Sequence, residues 1–212
     1  MFEDRKDAGQ QLAHALEEYR NQEPLILAIP KGGVEVGYQV AKHLEADFAM
    51  LITRKLPFPS NPEAGFGAIA EDGSTFIAAY SARRLSKPAI HRIIQAQKEE
   101  IRRRIDVLRE GGPLPALRDR NVILVDDGIA MGSTMRASIE MCKNQHTAKI
   151  TVASPVASPR IKKELEELVD DIVVLETPTF FRAVAQVYEN WYDVSDDEAK
   201  EIMNRWRKEH AT

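Results

Sequence analysis

Runs of consecutive apolar residues alternate with helix-period segments along most of this chain, and few folds accommodate that order. The runs 25–29 (LILAI), 48–53 (FAMLIT) and 122–125 (VILV) are apolar at successive rather than alternate positions, as expected of strands covered on both faces. Two further strands are expected at 149–153 and 172–175. Helical patterns at 34–44, 88–110, 132–144 and 158–168 separate them; in the longest, Ile90, Ile94, Ile101, Ile105 and Leu108 form one apolar stripe. This order predicts an α/β fold, a mostly parallel twisted sheet flanked by helices on both faces. Ligands of such sheets bind beyond the carboxyl ends of the strands.

Two segments depart from the alternation. Residues 56–87 are rich in Pro, Gly, Asn and Ser, with only short strand-like pieces (GAIA, TFIAAY), and are expected to form an irregular, flexible excursion over 57–87. Residues 177–212 read as a helical C-terminal hood in which Trp191 and Trp206 pack back on the body. The whole, 1–212, is expected to be a single domain with its core at about 20–176. Ser158 and Ser195, each just before a helix, need only a capping role.

Composition excludes several functions. A net charge of -4 gives no support to nucleic-acid binding. The one basic stretch (Lys98, Arg102, Arg103, Arg104, Arg109) is interleaved with Glu99, Glu100, Asp106 and Glu110, as on a solvated helix face. The five histidines show no metal-ligand spacing. Cys142 is the sole cysteine, so no intramolecular disulfide forms and a reducing compartment is expected. The polar N-terminal segment is unlike a signal peptide, and no apolar run nears the ~20 residues that cross a bilayer. A cytoplasmic protein without a membrane partner is expected.

The strand ends carry the chemistry. LILAI runs into Pro30-Lys31-Gly32-Gly33, FAMLIT into Arg54-Lys55, and VILV into Asp126-Asp127-Gly128. After Gly128, the residues Ile129, Ala130, Met131, Gly132, Ser133 and Thr134 lead into a helix. Small residues let backbone N–H groups approach an anion, and a helix N-terminus adds about +0.5 charge. That is a monophosphate cradle. It lacks the lysine of a Walker loop and the spacing of a dinucleotide fingerprint. Asp126 and Asp127 are acceptors and suit the hydroxyls of a sugar or a hydrated Mg²⁺. Lys31, Gly32 and Gly33 suit a second anionic group, with Arg54 and Lys55 in reach of it.

The segment VILVDDGIAMGST resembles the signature of the type I phosphoribosyltransferases, and IPKGGV resembles that family's diphosphate loop. The pieces RKL, NPE and GAIAEDG, and a C-terminal F-x-A-V-x-x-x-Y segment, are most similar to a bacterial branch of the family. The resemblance implies transfer of 5-phosphoribose from phosphoribosyl diphosphate to a small nitrogenous base. It implies Mg²⁺ as cofactor, carried by the substrate with Asp126 and Asp127 as candidate ligands, and homodimers are common among similar proteins. By position, Lys31, Asp126 and Asp127 are the candidate catalytic residues. Gly32, Gly33, Arg54 and Lys55 would bind the diphosphate, and Gly128, Ile129, Ala130, Met131, Gly132, Ser133 and Thr134 the 5′-phosphate.

Two departures bear on function. Ala130 stands where many purine-salvage members carry an acid that exchanges a proton with the base. Met131 stands where a threonine hydroxyl usually contacts the phosphate; one such hydrogen bond contributes about 1.5–3 kcal/mol. Glu63, Glu71, Asp72 and the pair Phe180-Phe181 are further candidates for acceptor contact. Two other classes stay open on the residues alone: a sensor that binds the donor or a nucleotide with slow turnover, and a phosphohydrolase using the aspartate pair with Mg²⁺.

Overall fold

The computed structural model describes residues 1–210. Helix α1 (Arg5–Ala15) opens the chain, capped by Asp4, whose side chain accepts from Asp7 N. Then follow β1 (Leu25–Ala28), α2 (Gly32–Leu44), β2 (Asp47–Met50), β3 (Thr53–Phe58), β4 (Asn61–Ala70), β5 (Thr75–Ile77), the short α3 (Ala79–Ala82) and α4 (Lys87–Arg109). The second half comprises β6 (Asn121–Val125), α5 (Ser133–Asn144), β7 (Lys149–Val156), α6 (Pro159–Glu166), β8 (Asp171–Glu176) and α7 (Asp196–Glu209). Five strands form a parallel sheet in the order β2-β1-β6-β7-β8, and β3-β4-β5 form a separate antiparallel sheet.

Alternate residues of the central strands face two cores, as the period of a strand requires. Ile26, Ala28, Ile123 and Val125 point to the side packed by α1, α2, α4 and α7. Leu25, Leu27, Val122 and Leu124 point to the side packed by α5 and α6. The expected α/β architecture with helices on both faces is therefore what forms.

Three expectations need correction. The run 48–53 is not one strand. β2 ends at Met50; Met50 O accepts from Arg109 Nη1 (3.0 Å), and Ile52 N donates to Glu71 Oε2 (2.9 Å). A buried Arg109–Glu71 pair (2.7 Å) thus takes over backbone groups that a longer ladder would use. Second, about half of 57–87 is ordered antiparallel sheet, with the ten-residue β4 at its centre. Its register shifts at Pro57, and Gly65 and Gly67 lie against β3 and β5, so the Pro and Gly that read as loop punctuation mark bulges and close strand contacts. Third, of 177–210 only α7 is an α-helix, started by a Ser195–Glu198 capping box.

The C-terminal tryptophans do pack back. Trp206 sits edge-on to Tyr38 and Phe48, and Trp191 lies against Tyr188.

Candidate active site

The register Ala28↔Val125 and Ala28↔Met50 brings the carboxyl ends of β2, β1 and β6 level. The loops that leave β1 and β6 therefore run side by side. Ile29 N donates to Val125 O (2.9 Å), and a Cβ on Gly33 would lie 3.0 Å from Asp126 Cα. Lys31 and Asp126 share one sheet edge, as the reading of the strand ends requires.

The β6–α5 loop closes on Gly132, whose φ of +71° suits glycine, and the first helical bond of α5 runs from Arg136 N to Gly132 O (2.9 Å). The N–H groups of Ser133, Thr134 and Met135 precede any intrahelical acceptor. Ser133 and Thr134 line a cleft of about 480 Å³ that Asp126 and residues 128–134 wall on one side and Lys55, Glu63, Ala64 and Gly65 on the other. Lys55 Nζ donates to Glu63 O. A small recess with one lysine opposite a helix N-terminus is the result, a geometry of the kind that suits an anion.

Not every candidate reaches it. Arg54, one residue before Lys55 on β3, takes the opposite face by strand alternation and donates to Gln97 on α4 (3.1 Å). Burial and then the nearby Arg104 lower its pKa. Arg54 is thus a packing residue under α4. Lys31 Nζ lies 3.8 Å from Asp196 Oδ1, at the start of α7, outside the cleft wall. Glu71 belongs to the buried pair with Arg109, and Asp72 holds a turn through Ser74 N and Oγ (both 2.8 Å). Phe180 is 86% exposed, and Phe181 packs on the cluster of Phe2, Val156 and Tyr188, so neither forms a hood over the cleft. Ser158 is a cap, accepting from Ile161 N (3.3 Å).

The aspartates are held differently. Asp126 Oδ1 accepts from Asp127 N (2.9 Å), while Asp127 Oδ2 accepts from Arg5 Nε (2.7 Å). Burial, and then the neighbouring Asp127, push the Asp126 carboxyl well above the usual carboxylate range. Arg5 belongs to no motif in the sequence, yet it is buried, with Nη1 donating to Tyr192 O (2.8 Å) and its guanidinium 4.0 Å from the Trp191 ring. Burial opposes its charge, but Asp127 and Glu35 outweigh burial and its pKa rises. Tyr188 Oη donates to Asp127 O (2.6 Å). Burial and then Asp127 push that phenol upward.

The C-terminal segment thus supports the site from behind. Gly128 is small for this reason too: a Cβ there would lie 2.4 Å from Val184. Val184 and Tyr188 fall within the F-x-A-V-x-x-x-Y pattern, which was the available signal. For Arg5, one of 29 basic residues, no local signal existed.

A family model of the phosphoribosyl transferase domain matches residues 2–190. The chain belongs to the phosphoribosyl transferase domain family. This phosphoribosyl transferase domain is 36% identical over 213 residues to a Mycobacterium tuberculosis protein named "Putative phosphoribosyl transferase" (strain H37Rv), covering 100% of this chain and 48% of that one. The chain therefore spans about half the length of the curated relatives it matches. The crystal structure of TT1426 from Thermus thermophilus superposes with a TM-score of 0.82 at 33% identity, covering 97% of this chain and 99% of that one. A hypoxanthine-guanine phosphoribosyltransferase from Bacillus anthracis shares the fold (TM-score 0.50, 14% identity, 88% of each chain). Among the described residues no helix is long and apolar enough to cross a membrane.

Proposed function

We propose that this domain transfers 5-phosphoribose from phosphoribosyl diphosphate to a nitrogenous base and releases diphosphate. The observation that carries the reading is the β1–β6 register, which sets the Lys31–Gly33 loop beside Asp126-Asp127 and the helix-headed anion loop. One ligand with a phosphate at one end, a diol in the middle and a diphosphate at the other matches all three.

In the proposed reaction the C1–O bond to diphosphate breaks as a nitrogen of the base forms the new bond from the opposite face, with inversion. The first N–H groups of α5, with the Ser133 and Thr134 hydroxyls, grip the 5′-phosphate. Asp126 and Asp127 face the two ribose hydroxyls, Asp127 through the carboxylate oxygen that Arg5 leaves free and Asp126 through its carboxyl group. Lys31 swings from its loose contact with Asp196 toward the diphosphate, while Lys55 stays opposite the phosphate loop. Holding the ring at both ends supplies orientation, and fixed cations stabilise charge on the leaving group.

No three His, Cys, Asp or Glu side chains gather to ligate an ion among the described residues. One or two carboxylates plus phosphate oxygens is nevertheless the donor set Mg²⁺ takes with phosphate substrates, and the Asp126-Asp127 pair fits it. When bound there, Mg²⁺ neutralises charge on the departing diphosphate.

Incubation with phosphoribosyl diphosphate, Mg²⁺ and a panel of bases, followed by phosphorus NMR, tests the reading. Diphosphate release that requires one base is expected. Tight donor binding without turnover would favour a sensor, a reading to which the solvent-facing Met131 (71% exposed) lends support. Phosphate release without any base would mark a phosphohydrolase.

A further inference from the structure

Arg5 is 2% exposed, and the groups that enclose it come from three stretches of chain distant from it in sequence. Asp127 on the β6–α5 loop accepts from its Nε (2.7 Å), and the carbonyl of Tyr192 accepts from its Nη1 (2.8 Å). Glu35 of α2 lies 3.7 Å from Nη1, and Glu35 is itself held by the Tyr192 hydroxyl (2.6 Å). The Trp191 and Tyr192 rings lie 4.0 and 5.1 Å from the guanidinium carbon. A planar cation fixed by ring contacts and in-plane acceptors has almost no rotational freedom left, which a lysine could not reproduce.

We propose that Arg5 is a positioning residue of the donor site, holding the Asp127 carboxylate in one orientation so that its remaining oxygen meets a ribose hydroxyl. This rests on the reading of Asp126 and Asp127 as the diol ligands. Fastening the chain ends together would be served by Glu35, the Tyr192 carbonyl and the two rings. Instead the shorter of the two carboxylate contacts of Arg5 goes to the residue that immediately precedes the anion loop. The backbone of Asp127 is held as well, by Tyr188, so neither its carbonyl nor its carboxylate is left to drift. With Oδ2 taken by Arg5, Oδ1 of Asp127 is the oxygen left to meet a hydroxyl. Removing Arg5 frees the Asp127 carboxylate to rotate and leaves a diol facing an acceptor that must be re-ordered at each binding event. Diphosphate alone has no diol and so does not draw on that orientation.

The test uses Arg5→Met, Arg5→Lys, Asp127→Asn and the double variant Arg5→Met/Asp127→Asn, each checked for folding by its melting transition. Calorimetry in metal-free buffer with two probes, phosphoribosyl diphosphate and inorganic diphosphate, reads the effect without an Mg²⁺ ion coupling diphosphate to Asp127. Arg5→Met is expected to weaken phosphoribosyl diphosphate about tenfold or more while changing diphosphate less than about twofold. Arg5→Lys, which keeps the charge but not the fork, is expected to restore only part of the affinity, and supplies the reading if Arg5→Met does not fold. In the double variant the loss is expected to match Asp127→Asn alone within about twofold, because Arg5 acts through Asp127. Unchanged sugar-donor affinity in a folded Arg5 variant, equal losses for both probes, or additive losses in the double variant would each overturn the proposal. If the unmodified protein binds no phosphoribosyl diphosphate at all, it is the functional reading that fails first, and this inference goes with it.

Discussion

Replacing Gly32 by alanine puts a methyl group into the Arg5–Asp127 ion pair. The added Cβ would lie 1.9 Å from Asp127 Oδ2, 2.6 Å from its Cγ and 2.7 Å from Arg5 Nε. Gly32 is the first residue of α2, so the backbone accepts alanine and helix propensity favours it by up to about 1 kcal/mol. The clash decides the sign. Overpacking a filled site costs about 1–3 kcal/mol, and separating a buried ion pair costs about 3–5 kcal/mol when one partner is left alone. Here both charges survive, and Asp127 (14% exposed) can turn toward water, so a net loss of about 2–4 kcal/mol is expected. For a chain of this length that lowers the melting temperature by roughly 5–15 °C. The informative control is Gly37→Ala, whose Cβ would meet Ala28 Cβ at 2.8 Å and Phe48 Cε2 at 3.0 Å, in the apolar layer under α2. Both variants are expected to lose stability, but only Gly32→Ala is expected to lose affinity for phosphoribosyl diphosphate, read by calorimetry at a temperature where both are folded. A Gly32→Ala protein with native melting temperature and native affinity would refute the assigned packing of this loop against Asp127.

Strand alternation separates two adjacent cations: Lys55→Ala is expected to raise the donor KM about tenfold, whereas Arg54→Ala is expected to leave it unchanged while lowering the melting temperature. Met131→Thr removes only solvent-exposed side chain and offers a hydroxyl to the phosphate, so donor affinity is expected to rise about tenfold by calorimetry. Unchanged affinity there would show that the loop does not present residue 131 to the ligand. Asp126 gives a pH prediction. Its folded-state pKa is raised, so the native protein holds a proton that the unfolded chain has released, and stability falls as pH rises above the ordinary value of 3.8. Asp126→Asn is therefore expected to gain stability over the unmodified protein increasingly toward neutral pH in urea titrations, while donor affinity drops. Parallel stability curves for the two proteins would contradict that burial effect.

Local chemistry made much of this protein legible. The apolar runs of β1 and β6, the helix start at Ser133 and the caps at Ser158 and Ser195 depend on residues within a few positions of one another. So does the small-residue loop after Asp127, where glycine and a helix N-terminus are contiguous in the chain. The misread stretch 48–87 failed on the same ground. β2 stops at Met50 because of Glu71 and Arg109, and neither can be connected to that strand without knowing how the chain folds.

The chain by itself determined the sheet class, the alternation of the parallel strands with helices, and the two small-residue loops that leave β1 and β6, because each is written in neighbouring residues. Only the tertiary structure decided which of those side chains meet. It turned Arg54 under α4 and Lys55 into the cleft, tied Glu71 to Arg109, and brought Arg5 and Tyr188 from the two ends of the sequence onto Asp127, with the Tyr192 carbonyl on Arg5. The physical reason is that periodicity and turn chemistry act over a few residues. Burying a charge requires a partner wherever packing supplies one, here 122 positions away for Arg5 and Asp127.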